Sequence, residues 1–326
     1  MLTAAQSGPA QALAAKGQIA LERGDFPSAV QYFQQAAQLG PGNLEITRGL
    51  VLSYVQAGRL NEAINTGQAG VHRWPQDAQL RHWLGLAYFK ARHNEQAGDE
   101  LRRAAQLDPT NPHVQFDLAL VSLSQDNYTA AADALQKSLS LKNSNPMGHL
   151  LLGRAYQNSN RTLQAIEQFQ IALRQDPNLP LGHYHLGFAY ASLGRNAEAL
   201  AQYEKEESRT PDSPDLQYQY GHLLLEMGDA QAALSHLRRA TELNPQNADA
   251  FYDLGKGLLL RDEISPAITA LRKAAELNPT DPSPHYQLAR ALEKTDSSQA
   301  KQEWQQFTEL KNAQHQTGGM ATGRVH

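Results

Sequence analysis

The stretch HLLLGRAYQNSNRTLQAIEQFQIALRQDP (residues 149–177) contains the pattern that decides the fold. Similar stretches precede and follow it, and all of them align on the residue equivalent to Ala165. An alanine recurs every 34 residues, at Ala29, Ala63, Ala97, Ala131, Ala165, Ala199, Ala233 and Ala267. A proline follows each alanine by twelve residues, with Asn143 as the exception. Because this register holds over residues 10–281, the chain is built from repeats.

Each repeat predicts two helices joined by a turn. In the first helix, apolar residues follow the helical spacing i, i+3, i+4, i+7, as in Leu84, Ala87, Tyr88 and Ala91. The turn has a residue suited to left-handed backbone geometry at one fixed position. These turn residues are Gly24, Gly58, Asp126, Asn160, Gly194, Gly228 and Asp262, and Arg92 is the exception in the third repeat.

A small residue, usually glycine, recurs in the middle of the first helix. Glycine there costs about 1 kcal/mol relative to alanine, so its recurrence predicts a close crossing of the two helices. We expect Gly85 to face Ala97 and Ala104. A single helical hairpin cannot bury its apolar faces alone, so neighbouring pairs are expected to stack.

The repeats resemble the tetratricopeptide repeat family, whose 34-residue signature is W-x₂-L-G-x₂-Y, then A-x₃-F, then P. HLLLGRAY (149–156) with AIEQF (165–169) and Pro177 matches this signature closely, and so does HYHLGFAY (183–190) with ALAQY (199–203) and Pro211. His149 and His183 stand where the family often has tryptophan. The resemblance implies an all-α fold, a right-handed superhelical α-solenoid of helix-turn-helix repeats.

The period predicts eight full units and a degenerate ninth. The full units are residues 10–43, 44–77, 78–111, 112–145, 146–179, 180–213, 214–247 and 248–281. Residues 282–314 form the ninth unit with a polar C-terminal capping helix, which begins one residue early. We expect Trp304 and Phe307 to anchor that helix to the last full repeat. Residues 1–9 and 315–326 are expected to be disordered.

Composition excludes several classes of protein. With 29 Lys and Arg against 33 Asp and Glu, the net charge is −4. This balance argues against a dedicated nucleic-acid binder, because such a protein needs a basic face. There is no cysteine, which excludes disulfides and zinc–thiolate sites. No apolar run approaches the roughly 20 residues that span a bilayer, and the N-terminus lacks the pattern of a signal peptide. A cytoplasmic location is favoured, and a periplasmic or exported one stays open if a signal peptide is missing from this chain.

No motif of an enzyme occurs in the sequence. There is no G-x-S-x-G, phosphate loop, H-E-x-x-H or dinucleotide fingerprint, so we predict no catalysis, no cofactor and no metal. GHYHLGFAY (182–190) has two histidines, but His183 and His185 lie about 200° apart around a helix. We therefore expect His183 to pack between helices, as His149 does, and His185 to be an ordinary polar residue.

The resemblance implies that positions 2, 5, 9, 12 and 13 of each unit face a concave groove. Polar residues are usual at position 9, yet Leu52, Leu86, Leu120 and Phe188 are apolar there. They predict an apolar inner wall through units 2–4, followed by a cationic stretch at His222, Lys256 and Arg290. The candidate groove residues are Leu52, Leu86, Phe89, Phe116, Leu120, Leu123, Arg154, Tyr184, Phe188, Tyr218, His222, Tyr252, Lys256 and Arg290.

Two structural readings of the groove stay open beside the functional one. Tyrosine is common at position 5 in the family and packs partly against neighbouring units, so the tyrosine series at that position has a packing explanation. In the second reading, the curvature of the solenoid or the chain's own termini cover the apolar wall. Neither the family's carboxylate clamp nor an asparagine ladder at position 6 occurs in any run of consecutive units.

Glu206 departs from the pattern at a position where most units have alanine or another small residue. A buried carboxylate needs a partner. We expect this side chain to reach the surface, with a local widening of the repeat as the alternative.

The sequence predicts a non-catalytic protein–protein interaction scaffold that binds a peptide segment of a protein partner in the concave groove. The alternative is a structural, self-assembling homo-oligomeric module, or an accessory subunit of an enzyme or envelope complex.

Overall fold

The computed structural model describes residues 8–293 and 295–321, which form 18 helices and no strand. The chain divides into two compact structural units. They are called unit 1 (residues 1–179) and unit 2 (residues 180–326) from here on, and each 34-residue segment of the sequence is called a repeat. The helices of unit 1 are α1 (Pro9–Glu22), α2 (Phe26–Leu39), α3 (Leu44–Gln56), α4 (Leu60–Arg73), α5 (Ala78–Lys90), α6 (Asn94–Leu107), α7 (Pro112–Ser124), α8 (Tyr128–Leu141), α9 (Pro146–Asn158) and α10 (Thr162–Gln175). Those of unit 2 are α11 (Gly182–Ala191), α12 (Asn196–Glu207), α13 (Pro214–Glu226), α14 (Ala230–Leu243), α15 (Ala248–Leu260), α16 (Ile264–Leu277), α17 (Ser283–Leu292) and α18 (Ser297–Ala321).

Each 34-residue segment of the sequence contains one helix pair. Within each unit, the two helices of a pair pack against each other, and the second helix also packs against the first helix of the next pair. Apolar side chains from both helices fill the space between them, with Leu80, Leu84 and Leu101 buried in the third pair. The predicted all-α solenoid of helix-turn-helix repeats is confirmed.

The mid-helix glycines allow a close crossing, although the nearest neighbour differs from the predicted ones. A Cβ atom added to Gly85 would lie 2.7 Å from Cγ of Leu101 and 3.4 Å from the carbonyl oxygen of Ala97. Gly85 therefore faces Ala97, as predicted, but its nearest neighbour is Leu101, which was not predicted. A large side chain of the second helix occupies the space that glycine leaves, and Phe169 does the same against Gly153.

The turns between paired helices have the predicted left-handed backbone. The φ angle lies between 54° and 85° at the glycines, aspartates and asparagine named above, and Arg92 adopts the same conformation with φ of 64°. The repeat therefore imposes this geometry even on a residue that disfavours it.

Polar residues begin most of the first helices. The side-chain acceptors at these N-caps are Asn43, Asp77, Asn111, Asn145, Ser213 and Asn247. Each accepts a hydrogen bond from a backbone N–H of the first turn, which stabilises the helix start.

The two ends of the chain are more helical than the sequence predicted. The first helix begins at Pro9, and α18 continues to Ala321, so residues 315–321 are helical and not disordered. Once a helix is established, each added residue gains a hydrogen bond, which favours extension. The rest of the two predicted disordered segments, residues 1–7 and 322–326, lies outside the described residues.

Aromatic contacts hold the last pair together. The ring of Tyr286 on α17 lies 5.4 Å from the ring of Trp304 and 5.5 Å from that of Phe307. Tyr286 belongs to the ninth pair itself, so these contacts differ from the predicted anchoring of Trp304 and Phe307 to the last full repeat. Among the helices described, none is both long and apolar enough to cross a membrane.

Candidate peptide-binding groove

The first helices of the pairs position all fourteen candidate residues, and none of these residues is fully buried. In unit 1, α3, α5, α7 and α9 provide Leu52, Leu86, Phe89, Phe116, Leu120, Leu123 and Arg154. In unit 2, α11, α13, α15 and α17 provide Tyr184, Phe188, Tyr218, His222, Tyr252, Lys256 and Arg290. Within unit 1, α1, α3, α5 and α7 pack in succession, and within unit 2, α11, α13, α15 and α17 do so.

Leu86 and Phe89 lie at the boundary between the core and solvent. Both pack against a buried cluster of unit 1 that contains Leu84 and Tyr88, yet both stay partly exposed. Their positions are therefore fixed by the core while part of each side chain is accessible.

A cavity of about 390 Å³ lies on the first-helix side of the opening repeats of unit 1. Among the candidate residues, Leu52 lines it, together with Trp83 and Arg48. Arg48 forms a salt bridge with Asp77 and a second one of 2.6 Å with Glu45. The hydrogen bonds that Arg48 donates to the Asp77 carboxylate raise the pKa of Arg48, so the guanidinium is fixed and charged at the cavity edge.

A histidine–aspartate pair joins α5 to α7 beside this surface. Nε2 of His82 lies 2.6 Å from Oδ2 of Asp117, and the His82 ring stacks on Trp83 at 4.6 Å. Neither residue of this pair is among the predicted groove residues.

Tyrosines on the first helices of unit 2 are partly buried. Burial raises the pKa of Tyr184 to about 12, and it also raises the pKa of Tyr218. Both phenols therefore stay protonated at neutral pH and keep a hydrogen-bond donor.

The predicted cationic stretch includes a buried acid that is not among the predicted groove residues. Oδ2 of Asp253 lies 2.7 Å from Nδ1 of His222, and its Oδ1 lies 3.6 Å from Nζ of Lys256. The Asp253 side chain is only 5% exposed, so two of the three predicted cations are already paired. Arg290 has no acid partner among the described residues, and its guanidinium lies 5.8 Å from the ring centre of Tyr286.

A signal for these acids exists in the sequence. Asp117 and Asp253 both occupy position 6 of their repeats, and each contacts a histidine on the first helix of the preceding repeat. An aspartate at that position, one repeat after a histidine at position 5 or 9, would have indicated both pairs.

Lys256 and Arg290 are brought together at a second cavity of about 390 Å³, in unit 2. Leu259, Leu260 and Ile264 provide its apolar lining. This cavity combines apolar walls with two cations and one acid, Asp262.

His183 of GHYHLGFAY is a structural residue, as predicted. Its Nδ1 lies 2.8 Å from Oε1 of Gln202 on the paired helix, and His149 makes the equivalent 2.8 Å contact with Gln168. Among the described residues, no group of three or more His, Asp or Glu side chains is placed to hold a metal ion.

Glu206 is buried, with 1% of its surface exposed, so the expectation that it reaches the surface was wrong. Its Oε1 accepts a hydrogen bond of 3.2 Å from the N–H of Leu181, and its Oε2 accepts one of 3.2 Å from the N–H of Tyr184. These are N–H groups at the start of α11, whose N-cap residue, Leu181, has a left-handed conformation and no side-chain cap of its own. A carboxyl group from α12 therefore provides the cap that the local sequence lacks.

Among curated proteins, no sequence matches the chain significantly. Solved structures are similar in fold. The Cut9–Hcn1 hetero-tetramer of the APC/C has a chain with a TM-score of 0.57 and 18% identity, and the match covers 86% of this chain but only 55% of that one. A tetratricopeptide repeat protein from Parabacteroides merdae has a TM-score of 0.52 and 16% identity, covering 76% of this chain and 98% of that one. YrrB, described as a TPR protein with an unusual peptide-binding site, has a TM-score of 0.49 and 22% identity, covering 58% and 97%. At these identities the likeness concerns the fold.

Family models agree with the repeat pattern along most of the chain. One model, described as tetratricopeptide repeat, matches residues 20–84 and 224–292. A second model with the same description matches residues 84–146 and 150–214. The chain belongs to the tetratricopeptide repeat family.

Proposed function

We propose that the chain is a non-catalytic scaffold that binds an extended segment of a partner protein along the exposed faces of its first helices. The observation that supports this most is the exposure of apolar side chains at positions that the core holds in place. Leu86 and Phe89 are anchored in the core of unit 1 and remain accessible, as do Leu120 and Leu123 on α7. Apolar side chains that stay accessible on neighbouring helices are typical of an interaction site, and α5 packs against α7.

The two units favour different chemistry in the partner. The first helices of unit 1 offer mostly aliphatic side chains and Phe89, which suit apolar residues of a partner. In unit 2, Tyr218 and Tyr252 offer phenols, and the Arg290 guanidinium is unpaired among the described residues. This surface suits a polar segment with an acidic group.

The test is a pair of matched double substitutions in unit 1. Leu86→Glu with Leu120→Glu places two charges on the proposed surface. Leu39→Glu with Leu163→Glu places two charges on second helices, where the two leucines are 59% and 71% exposed. Proteins captured from a lysate are compared by quantitative mass spectrometry, and the binding of the main partner is then titrated.

We expect the Leu86/Leu120 variant to lose the partner and the Leu39/Leu163 variant to retain it, with unchanged helix content in both. Equal capture by wild type and the Leu86/Leu120 variant would refute the groove as the binding surface. Sedimentation tests the self-assembly alternative, because a monomer at all concentrations would exclude it.

A further inference from the structure

An apolar cavity of about 720 Å³ lies in unit 2 between α14, α15 and α16. Phe251, Leu254 and Leu258 of α15 line it. On a helix, Leu254 and Lys256 point about 200° apart, so this cavity faces away from the candidate groove. Its volume lies within the range of about 300–1,000 Å³ that is typical of ligand sites.

One reason for the cavity is the loss of a polar pair of side chains that other repeats have. In several repeats, the side chains at positions 4 and 23 contact each other across the helix pair. Examples are His149 with Gln168 at 2.8 Å and His183 with Gln202 at 2.8 Å. In the eighth repeat, the residues at these positions are Phe251 and Ala270. The pair is therefore replaced by an aromatic ring and a methyl group, which leave an apolar space.

A second polar link is lost at the same place. Elsewhere, a glutamine of one second helix donates a hydrogen bond to a tyrosine hydroxyl on the next first helix. These links are Gln34 to Tyr54 at 2.9 Å, Gln68 to Tyr88 at 2.8 Å and Gln136 to Tyr156 at 2.7 Å. The equivalent residues here are Arg238 and Leu258. Both polar links are thus lost through four differences from the repeat pattern, and three of these residues, Phe251, Ala270 and Leu258, are apolar.

The rim of the cavity is positively charged. Arg238, Arg272 and Lys273 line it against a single carboxylate, Glu276. Arg272 donates to the neutral Gln299 at 2.5 Å, and Lys273 contacts Glu276 at 2.9 Å. Arg238 has only an exposed contact of 3.4 Å with Glu263. Exposed ion pairs are weak, so these cations are available to a stronger acidic partner.

We propose that this outer cavity is a second protein-docking site, which binds an acidic segment of a partner through its apolar side chains. Leucine or phenylalanine side chains of the segment pack on Phe251 and Pro266, the apolar lining residues that are not buried. Its Asp or Glu residues contact Arg238, Arg272 and Lys273 at the rim. The site lies on a different face from the groove proposed above, so it is independent of that proposal.

The experiment restores the polar pair of the other repeats and thereby closes the cavity. Phe251→His with Ala270→Gln recreates the pair seen at His149 and Gln168, so it is compatible with the fold. Arg272→Ser with Lys273→Ser removes two exposed charges and leaves the core unchanged. The probe is a fluorescein-labelled peptide, Glu-Glu-Leu-Phe-Glu-Glu-Leu-Glu, measured by fluorescence polarisation with full-length protein. The control peptides have serine for each Leu and Phe, or lysine for each Glu.

We expect saturable binding of the acidic apolar peptide to wild type, and affinity about tenfold lower in each of the two variants. The binding to the charge variant is expected to depend less on salt. The Leu86→Glu/Leu120→Glu variant separates the two sites: retained binding of the peptide places it at the outer cavity, whereas lost binding places it in the groove and overturns the proposal. The proposal is overturned if wild type does not bind the probe, if the closed variant binds it equally, or if the serine or lysine peptide binds as tightly.

Discussion

Arg92 occupies a left-handed turn position where other repeats have glycine, aspartate or asparagine. An L-residue with a Cβ atom pays roughly 1–2 kcal/mol for this conformation, and glycine avoids most of that cost at some loss of chain entropy. We expect Arg92→Gly to raise the free energy of unfolding by about 0.5–1 kcal/mol. Chemical denaturation followed by circular dichroism measures the change.

Gly58 provides the matched control for Arg92. It lies at the equivalent turn with φ of 71°, and no atom within 4 Å would contact an added Cβ. Gly58→Arg should therefore lower stability through the backbone alone. Equal stability of both variants and wild type would show that the turn conformation is not a source of strain.

His222 makes the stability of unit 2 depend on pH. Its hydrogen bond with Asp253 raises its pKa above the ordinary 6.5, and the nearby charge of Glu226 acts in the same direction. Burial and Lys256 oppose this shift. Because the folded pKa is raised, the stabilisation is complete below pH 6.5 and is lost as the pH rises through the folded pKa.

We expect His222→Gln to lower the melting temperature more at about pH 5.5 than at about pH 9. Thermal melts of both proteins over this range give the difference at each pH. Burial lowers the pKa of His236, which gives an opposite dependence on pH. Because both proteins contain His236, its contribution cancels in the difference. A difference that grows with pH would contradict the His222–Asp253 pair as its source.

The helix pair is the element that the recurrent glycine makes possible. In the third pair, a Cβ on Gly85 would lie 2.7 Å from Leu101, which is fully buried and cannot move aside. Gly98 on the second helix of the same pair has no such neighbour closer than 3.7 Å. The same substitution should therefore have opposite effects on the two helices.

We expect Gly98→Ala to stabilise the protein by up to about 1 kcal/mol, the gain in helix propensity. Gly85→Ala makes the same gain but overfills the crossing at a cost of about 1–3 kcal/mol, so its net effect is destabilising. Urea unfolding of both variants tests this. If both were stabilising, the close crossing at Gly85 would not be needed for the pair.

At the scale of the molecule, the features that recur every 34 residues could be predicted, and the features that occur once could not. Period, turn geometry and helix pairing follow from residues that repeat, and the structure has each of them. The cap from Glu206 depends on a contact between residues 25 positions apart. A single sequence does not fix such distances, and the polarity of Glu206 alone pointed to the surface.

The cap that Glu206 provides should affect stability locally, since each repeat contacts only its neighbours. Glu206→Ala leaves the N–H groups of Leu181 and Tyr184 without their acceptor, at a cost of about 1–3 kcal/mol. We expect faster hydrogen exchange in α11, α12 and α13, which pack together, and unchanged exchange in α15–α17. Hydrogen exchange with mass spectrometry measures both regions.

Two further variants define the cause. Glu206→Gln keeps the volume and one carbonyl acceptor, so its effect should be smaller, and Glu204→Ala removes an exposed acid of the same helix with a change within about 0.5 kcal/mol. If Glu206→Ala accelerated exchange equally in α15–α17, unit 2 would unfold as one cooperative body. The nearest-neighbour description of these repeats would then be wrong, whatever the loss at α11.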